Sequence, residues 1–345
     1  MRPDGEAEIA DAIRAARAPL SIIGGGSRLR PGEGGAETLE TGALRGVTLY
    51  EPEALTLVVA AGTPLQSVVD TLAAEGQMLG FEPDLRAGST IGGVVAANAS
   101  GPRRVLVGAA RDALIGVRFV DGSGNIVKNG GRVMKNVTGY DLVKLMAGSR
   151  GTLGVLTELA FKTAPLPPVT AILRLAGLTA ADAIPALTAA LTGPYDVSAA
   201  GWTAGAGALI RIEGLEGSVA IRRAELTERL AGFGEITDGT PDMLADLNPT
   251  AAASGDLWRI ICRPSEAPAL LAALPAPMAL DWGGSLIWAE LPPGVAPSLP
   301  AFSGHAIRVT GAAAATLPPP DPVTARLNAE LRARFDPRGI FAGPV

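Results

Sequence analysis

The stretch that decides the fold reads Gly88-Ser89-Thr90-Ile91-Gly92-Gly93-Val94-Val95-Ala96-Ala97-Asn98-Ala99-Ser100-Gly101. It carries no charge, and its only bulky side chains are one isoleucine and two valines. Small side chains let another group approach the backbone closely, and glycine permits backbone conformations that other residues avoid. Thr90 is a preferred helix cap, so we predict a short helix from Ile91 to about Ala97.

Composition alone leaves two interpretations of this stretch open. The N-terminus of the predicted helix would present free N–H groups and a positive dipole end at Ser89 to Gly92, which favours a bound anion. The segment would then carry a phosphate-bearing cofactor along its length. The alternative is a small-residue helix packed tightly under a sheet, because a glycine-rich stretch is a weak motif.

Size and composition limit the classes of protein that this chain can be. Its 345 residues predict two domains, and an apolar fraction of 48% permits a large aliphatic core. The net charge of −5 argues against a nucleic-acid-binding surface. Met1 to Arg17 lacks the pattern of a secretory leader, and no uncharged apolar run reaches the ~18 residues of a membrane span. We therefore expect a cytoplasmic protein, which could dock at the inner membrane as a peripheral member of a complex.

A single cysteine, Cys262, and a single histidine, His305, exclude several kinds of site. Disulfides, cysteine-rich zinc sites and cysteine-ligated iron–sulfur clusters cannot form within this sequence. A multi-histidine metal site is excluded too, so we expect no metal site. A Ser-His-Asp triad would depend on His305, which we interpret as a surface or packing residue in a Pro-rich region.

A second glycine cluster, Gly24-Gly25-Gly26-Ser27-Arg28, directly follows an apolar run, Leu20 to Ile23, that predicts a short buried strand. Successive glycines at a strand end form a tight turn whose N–H groups can converge on one anion. The last two residues of the cluster add a hydroxyl and a positive charge. The cluster fits neither a Rossmann fingerprint, because residues 31–35 cannot continue as a helix, nor a P-loop, because the sequence has no Gly-Lys pair. An ordinary glycine-rich turn is the alternative.

Further elements of the N-terminal half follow from hydrophobic spacing and turn residues. A helix is predicted from Glu6 to Arg17, a second one from Pro64, with Thr63 as its cap, to Gly76, and a strand from Ala113 to Val120. The turn Pro102-Arg103-Arg104 would place positive charge beside a bound pyrophosphate, or it is a solvated loop. Gly148 to Gly154 is a third glycine-rich turn, which enters a strand.

Four of these segments together resemble the FAD-binding domain of the vanillyl-alcohol oxidase, or PCMH, type. They are Gly24–Arg28, Gly88–Gly101, Gly108 with Arg111-Asp112, and Gly151-Thr152-Leu153-Gly154-Val155-Leu156-Thr157-Glu158. Their order and spacing cover residues 19 to about 165. The short length, Asn98-Ala99-Ser100-Gly101-Pro102-Arg103-Arg104 and Lys135-Asn136-Val137-Thr138-Gly139-Tyr140-Asp141-Leu142 make the chain most similar to the FAD-binding E subunits of bacterial glycolate oxidases.

The resemblance implies FAD held between two α+β subdomains, with the pyrophosphate on the first two glycine segments. Some relatives attach the flavin covalently through His or Cys, but Ser27 follows the glycine loop here, so we expect non-covalent FAD. The residues expected to bind the cofactor are Gly24, Gly25, Gly26, Ser27, Arg28, Pro83, Gly88, Ser89, Thr90, Gly92, Gly93, Asn98, Ala99, Ser100, Gly101, Arg104, Gly108, Tyr140, Gly154, Val155 and Thr157.

One departure from the resemblance concerns catalysis. Catalytic members of the hydroxyacid branch resemble one another in a histidine-rich C-terminal site, which one histidine cannot supply. Oxidation of an alcohol carbon requires a base for the hydroxyl proton. Tyr140, Lys135 and Glu290 are the conceivable bases, and a structural or surface role is favoured for each. We therefore expect the chain not to oxidise a substrate unaided, and its catalytic residues remain unassigned.

The second half, residues 170–320, carries no recognisable chemical motif. Repeated strand and helix patterns, including a helix from Ala180 to Leu191 and a strand from Gly207 to Ile212, predict a ferredoxin-like antiparallel sheet with helices on one face. The expected fold class is α+β. The expected domains are a PCMH-type FAD-binding domain (1–167), a ferredoxin-like cap domain (168–320), and a C-terminal helix and tail (321–345) that return to the first domain.

Three functions are compatible with these patterns. The first is an FAD-carrying electron-transfer subunit of a complex that oxidises glycolate to glyoxylate, beside a catalytic flavoprotein subunit and an iron–sulfur subunit. The second is a self-sufficient FAD-dependent oxidoreductase of glycolate or D-lactate. The third is a scaffold whose flavin seat is not used. The sequence favours the first function, because it carries the segments expected to bind FAD but lacks the histidine-rich site that would accept the hydroxyl proton.

Overall fold

The computed structural model describes residues 1–31, 33–35, 37–131, 139–311 and 319–343. No helix in these ranges is long and apolar enough to cross a membrane. The described helices are α1 (Glu6–Ala15), α2 (Leu65–Ala73), α3 (Ile91–Ala96), α4 (Arg104–Val107), α5 (Ala110–Ala113), α6 (Leu142–Met146), α7 (Ala180–Leu191), α8 (Glu216–Leu230), α9 (Pro241–Ala245), α10 (Ala267–Ala272) and α11 (Pro322–Phe335).

The strands alternate with these helices along the chain. They are β1 (Leu20–Ile23), β2 (Glu37–Glu40), β3 (Val47–Glu51), β4 (Thr56–Ala60), β5 (Gln77–Met78), β6 (Leu114–Val120), β7 (Ile126–Gly130), β8 (Val155–Lys162), β9 (Ala164–Pro165), β10 (Val169–Leu175), β11 (Val197–Thr203), β12 (Gly207–Gly214), β13 (Ile236–Asp238), β14 (Asp256–Ile261), β15 (Pro277–Asp281), β16 (Leu286–Leu291) and β17 (His305–Arg308).

An antiparallel sheet with the strand order β3-β4-β8-β6-β7 forms the centre of the N-terminal domain, counted over its described residues. One face of this N-terminal sheet packs against α2, α3 and α6 through an aliphatic core that includes Leu57, Val68, Val94 and Phe161. The small residues of α3 let its backbone lie against the sheet, since a Cβ on Gly92 would lie 2.6 Å from the carbonyl oxygen of Ala61. The glycine-rich stretch is therefore a close-packed helix as well as a wall of the site described below.

A smaller unit joins the two ends of the chain. Strand β1 pairs in parallel with β2, and Leu20 also forms a parallel bridge to Phe341. The backbone N–H of Leu20 donates to the carbonyl oxygen of Ile340 at 2.7 Å, and Leu20 in turn accepts from Ala342 at 2.8 Å. The C-terminal segment thus packs beside the start of β1.

The C-terminal sheet has the strand order β13-β10-β12-β11-β15-β16-β14-β17 over the residues described, and each of its pairings is antiparallel. Strands β10 to β13 form the order 4-1-3-2 of a ferredoxin-like unit, with α7 and α8 as its crossovers. Strands β14 to β17 form a second unit of this kind, whose order across the sheet is reversed, 2-3-1-4. The second strands of the two units, β11 and β15, pair edge to edge and fuse the units into one sheet.

The predicted α+β class and the ferredoxin-like sheet are confirmed. The helix from Ala180 to Leu191 has the predicted bounds, and α3 ends one residue earlier than predicted. Strand β11 was not predicted, because all of its residues are buried and small residues dominate it. Burial on both faces removes the alternation of polar and apolar residues that identifies a strand.

Candidate functional site

The loop after β1 and the segment before α3 touch backbone to backbone. A Cβ added to Gly25 would overlap the carbonyl oxygen of Gly88, and one added to Gly24 would overlap the hydroxyl of Thr90. Gly26 and Gly88 both have φ near +73°, which other residues rarely adopt. Glycine is therefore required at these positions by contact and by conformation.

A cleft that is open to solvent lies beside this contact. It lies between β1 and its loop on one side and α3 and the start of β8 on the other. Its lining is mostly backbone and small side chains, with two ionisable groups besides Arg28. The lining residues are Ile22, Gly24, Gly25, Gly26, Ser27, Arg28, Leu29, Glu33, Thr41, Ala61, Thr90, Gly92, Gly93, Ala96, Ala97, Arg150, Gly151, Gly154 and Leu156.

The N-terminus of α3 differs from the sequence-based expectation of free N–H groups. Thr90 caps the helix as predicted, since its Oγ1 accepts from the N–H of Gly93 at 3.2 Å. The N–H groups of Ile91 and Gly92 donate to the carbonyl oxygens of Thr63 and Ala61 at 3.0 and 2.7 Å. This helix end is buried against the turn after β4, where its donors must find protein partners. The N–H of Ser89 donates as well, to the carbonyl oxygen of Arg86 at 3.0 Å, so the expectation of free N–H groups was wrong for three of the four residues from Ser89 to Gly92.

The free donors belong to the first glycine loop instead. No described residue accepts a hydrogen bond from the backbone N–H of Gly25, Gly26, Ser27 or Arg28. In addition, the hydroxyl of Ser89 is buried without a partner among the residues described. Unpaired buried polar atoms cost free energy unless a ligand or water pairs with them. The residues of the glycine loop line one end of the cleft, Ser89 lines a pocket that adjoins it across the Gly25 contact, and donors at this place can receive a diphosphate.

The charged side chains of the cleft are paired within the protein. Arg28, which we expected to face the anion, donates to the Asp84 carboxylate at 2.8 Å and to the Asp84 carbonyl at 2.6 Å. Arg150 donates to both carboxylate oxygens of Glu33. Burial alone would raise the pKa of Glu33, but the hydrogen bonds and charge of Arg150 outweigh it and hold that pKa below its ordinary value. The cleft thus offers a diphosphate mostly neutral donors.

A second cavity, also open to solvent, lies between the N-terminal half of the chain and the C-terminal sheet. It shares Ser27, Arg28, Leu29, Ala97 and Arg150 with the cleft, so the two spaces adjoin. From the N-terminal domain it is further lined by residues 98–100, and from the C-terminal sheet by Arg259, Trp288 and Ile307. We call this space the junction cavity.

Ion pairs and one tryptophan fix the two domains around the junction cavity. Arg211 of β12 donates to both carboxylate oxygens of Glu82 at 2.7 and 2.6 Å, and Arg103 pairs with Glu213 of β12. The indole N–H of Trp282 donates to the carbonyl oxygen of Gly101 at 3.1 Å. These contacts hold the end of the glycine-rich stretch against the C-terminal sheet.

Left-handed backbone conformations gather at the same place. Glu82, Asn98, Arg150 and Trp282 have φ values of 49°, 47°, 52° and 53°. Such conformations are strained for residues other than glycine and persist where surrounding contacts impose them. Asn98 is held by the N–H of Arg111, which donates to its side-chain oxygen at 3.0 Å.

Most of the predicted cofactor residues come together around these spaces. Gly24 to Arg28, Thr90, Gly92, Gly93 and Gly154 line the cleft, and Asn98, Ala99 and Ser100 line the junction cavity. Gly88 and Ser89 line an adjoining pocket on the other side of the Gly25 contact.

The remaining predicted residues line none of these spaces. Pro83 and Val155 are packed in the interior, Thr157 donates to Glu6, and Gly108 packs against Asp112. Gly101 and Arg104 contact Trp282 at the junction. Tyr140 is 89% exposed on the surface and lines none of the three spaces.

Neither of the two conceivable bases that the structure describes, Tyr140 and Glu290, lines the cleft. Lys135 lies outside the described residues. The Glu290 carboxylate accepts hydrogen bonds from the N–H groups of residues 253–255, and these bonds lower its pKa. Glu290 is therefore a loop anchor. No group of three or more His, Cys, Asp or Glu in the described ranges is arranged to hold a metal.

Sequence reasoning missed the arginine and tryptophan on the C-terminal side of the junction cavity. Arg259 interrupts the otherwise apolar run Leu257-Trp258-Arg259-Ile260-Ile261. A charge in the middle of a buried strand was the available signal, because it must meet a partner, a cavity or a ligand.

Comparison with known proteins adds three findings. A family model described as "FAD binding domain" matches residues 1–130. The chain is 35% identical over 333 residues to the glycolate oxidase subunit GlcE of Escherichia coli, which covers 94% of this chain and 91% of that protein. It is also 34% identical to the glycolate oxidase subunit GlcD of Bacillus subtilis, but over only 44% of this chain and 33% of that protein.

Among solved structures, p-cresol methylhydroxylase with bound substrate superimposes with a TM-score of 0.68 at 13% identity. The match covers 84% of this chain and 74% of the other. At that identity the likeness concerns the fold alone.

Proposed function

This chain belongs to the family of FAD-binding oxidoreductases that includes the glycolate oxidase subunit GlcE, and from that membership we propose that it carries FAD as an electron-transfer subunit of a glycolate-oxidising complex. Its cofactor is FAD, which would accept and release electrons as bound flavin. In this proposal a catalytic flavoprotein subunit oxidises glycolate to glyoxylate. Electrons pass through the flavin of this chain to an iron–sulfur subunit, and the assembly is cytoplasmic or peripheral to the inner membrane.

One observation carries the proposal: the cavity system has room and free donors for FAD but lacks an available proton acceptor. Among the described residues that line the cleft and the junction cavity, the carboxylates are Glu33 and Asp84. Both are ion-paired with arginines. No described histidine, lysine or tyrosine lines either space. An alcohol loses its hydroxyl proton when it is oxidised, so a site without a free base is poorly suited to that step.

The proposed FAD contacts differ between the glycine loop and the junction cavity. The N–H groups of Gly25, Gly26 and Ser27 would hold the diphosphate together with the hydroxyl of Ser89. The junction cavity would accommodate the other end of the bound cofactor, beside Asn98. These donors are the ones that the protein itself leaves unpaired.

We propose non-covalent binding because no described cysteine, histidine or tyrosine lines the cleft or the junction cavity. Cys262 and His305 lie in or beside strands of the C-terminal sheet. Precipitation of the loaded protein with acid should release the yellow colour into the supernatant. Colour that stays with the pellet would contradict this point.

A second candidate function, oxidation of a 2-hydroxy acid by this chain alone, is favoured by the position of His305. Its strand, β17, also carries Ile307, and alternate residues of a strand share one face, so His305 lies on the face that borders the junction cavity. Burial and the charges of Arg259 and Arg30 lower the pKa of His305, which keeps the imidazole in its proton-accepting form.

A spectroscopic experiment separates the two functions. The purified chain, loaded with FAD, is mixed anaerobically with glycolate and in parallel with D-lactate. We expect the flavin to stay oxidised with the chain alone and to be reduced by glycolate once the partner flavoprotein subunit is added. Reduction in the isolated chain that is lost in His305→Ala would establish the second candidate. A chain that neither holds FAD nor is stabilised by it would refute both.

A further inference from the structure

A transverse row of side chains crosses the C-terminal sheet on the side of the junction cavity. In the antiparallel register, Arg259 of β14 lies directly opposite Trp288 of β16 and opposite Ile307 of β17. All three residues line the cavity. The neighbours of Arg259 in β14, Trp258 and Ile260, point to the other face, where they join the core beneath the helices. The position of Arg259 is therefore fixed by the sheet register.

Arg259 has no carboxylate partner among the described residues, and its guanidinium lies over the rings of Trp282 and Trp288. Its guanidinium carbon lies 5.4 and 6.0 Å from the centroids of the two rings. Burial and the like charges of Arg104, Arg30, Arg86 and Arg150 lower the pKa of Arg259 to about 10, so it remains protonated at neutral pH.

The charge around Arg259 is unbalanced. In the described part of the chain, five arginines line the junction cavity against a single carboxylate, Asp84. Asp84 is already shared by Arg28 and Arg86, and Arg150 is neutralised by Glu33 of the adjoining cleft. A cation that is held near other cations without an acid destabilises the protein unless an anion binds it.

A second unpaired donor stands beside the first. Trp288 is only 3% exposed, and its indole N–H has no hydrogen-bond partner among the described residues. A guanidinium offers two parallel N–H donors to a planar oxyanion, and the indole adds a third donor from the opposite strand.

We propose that the junction cavity binds a small monocarboxylate through Arg259 and Trp288, and that this chain holds the acid without oxidising it. The inference rests on the proposed function for the second half of that statement only. In the complex, such a site would make this subunit responsive to the concentration of the acid that its partner oxidises. The site is distinct from the diphosphate end of the cleft, where the donors are backbone N–H groups and the arginines are neutralised.

Calorimetric titration of the FAD-loaded chain tests the proposal. Acetate is the probe, because it carries the carboxylate but no hydroxyl, and acetamide is its neutral control at constant ionic strength. We expect acetate to bind and acetamide not to bind. Arg259→Met should weaken acetate binding by about tenfold to a hundredfold, because it removes charge-assisted hydrogen bonds. Arg259→Lys should restore part of the affinity, and Trp288→Phe should weaken it by about threefold to tenfold.

Arg263→Met is the matched control, because it removes the same charge from an exposed position just beyond β14. It should bind acetate within about twofold of the wild type. The proposal is overturned if acetate does not bind, or if it binds equally well to Arg259→Met. Loss of FAD rather than of acetate from Arg259→Met would also overturn it, because the charge would then serve the cofactor.

The same samples keep this test apart from the proposed function. A chain that lacks FAD, or whose flavin is reduced by glycolate alone, fails the proposed function. Calorimetry still reports acetate binding in either case, and reduction by glycolate alone would in addition refute binding without oxidation.

Discussion

The cleft and the junction cavity adjoin, but they differ in how their arginines are neutralised. In the cleft, Arg28 and Arg150 each have an acid, and the groups left unpaired are backbone N–H groups of the glycine loop. In the junction cavity, Arg259 has no acid among the described residues. A dinucleotide diphosphate can be held by oriented dipoles alone. An unpaired guanidinium indicates instead a place where a discrete anion is exchanged.

Arg211 provides the internal reference for this difference. It too interrupts an apolar strand of the C-terminal sheet, and its side chain is 7% exposed. Glu82 of the N-terminal domain neutralises it with two hydrogen bonds. The two arginines thus show that the same sequence signal, a charge within a buried strand, leads either to an interdomain latch or to an open site. The deciding factor is an acid on the opposite domain.

The largest effect is expected from the cleft. Gly25→Ala places a methyl group against the carbonyl oxygen of Gly88, and neither backbone can yield without opening the loop. We predict at least about a hundredfold weaker FAD binding, on the order of 3 kcal/mol. Gly217→Ala is the matched control, since no atom lies within 4 Å of its added Cβ and it lies in α8. The control should keep FAD and gain about 0.5–1 kcal/mol of stability. Equal FAD affinity in both variants would contradict the requirement for glycine at this contact.

The interdomain latch should rank second. Glu82→Gln leaves Arg211 buried without its main partner. Removal of one partner from a buried pair costs about 3–5 kcal/mol, and the 34% exposure of Glu82 reduces the expected loss in the free energy of unfolding to about 2 kcal/mol. Asp238→Asn breaks the exposed pair with Arg223 and should change stability by less than about 0.5 kcal/mol. Denaturant unfolding of both variants gives the comparison, and equal losses would show that the latch contributes no more than a surface pair.

The stability of the protein should also depend on pH, through Asp281, which interacts electrostatically with Glu82 and Arg211 of the latch. Burial raises the pKa of Asp281 to about 8, and Glu82 adds to this effect while the N–H of Trp282 and the charge of Arg211 oppose it. A carboxyl whose pKa is raised by folding stabilises the fold at low pH, and this contribution is lost as pH rises from about 4 to about 8. Asp281→Asn should therefore lose less thermal stability than the wild type between pH 5 and pH 8. Melting temperatures that fall equally in both proteins between pH 5 and pH 8 would contradict the raised pKa of Asp281.

The smallest effect is expected at Ser89. Its hydroxyl has no protein partner among the described residues, so Ser89→Ala should leave the stability of the flavin-free chain unchanged. If the hydroxyl contacts the diphosphate, FAD affinity should fall by about fivefold to tenfold, or ~1 kcal/mol. Thr71→Ala is a suitable control, because that hydroxyl bonds only within α2. An unchanged FAD affinity would show that the diphosphate does not contact the hydroxyl of Ser89.

The parts of the fold that were predicted from sequence are those with local signals. The bounds of α7 and the cap at Thr90 follow from spacing and capping chemistry within a few residues. The N–H groups of α3 could not be predicted as occupied, because their acceptors, Ala61 and Thr63, lie about thirty residues away in sequence. The pairing of Arg28 with Asp84 was unpredictable for the same reason. Tyr140 entered the predicted site through a motif, and a motif does not fix the orientation of a side chain.

The central claim is that the glycine loop after β1 holds the diphosphate of FAD. The direct measurement is calorimetric titration of the flavin-free chain with FAD and, separately, with riboflavin, which shares the ring but has no phosphate. We predict that FAD binds about a thousandfold or more tightly, on the order of 4 kcal/mol, because several hydrogen bonds to the diphosphate are lost with riboflavin. Affinities within about tenfold of each other would contradict the claim, because the loop would then contribute little to cofactor binding.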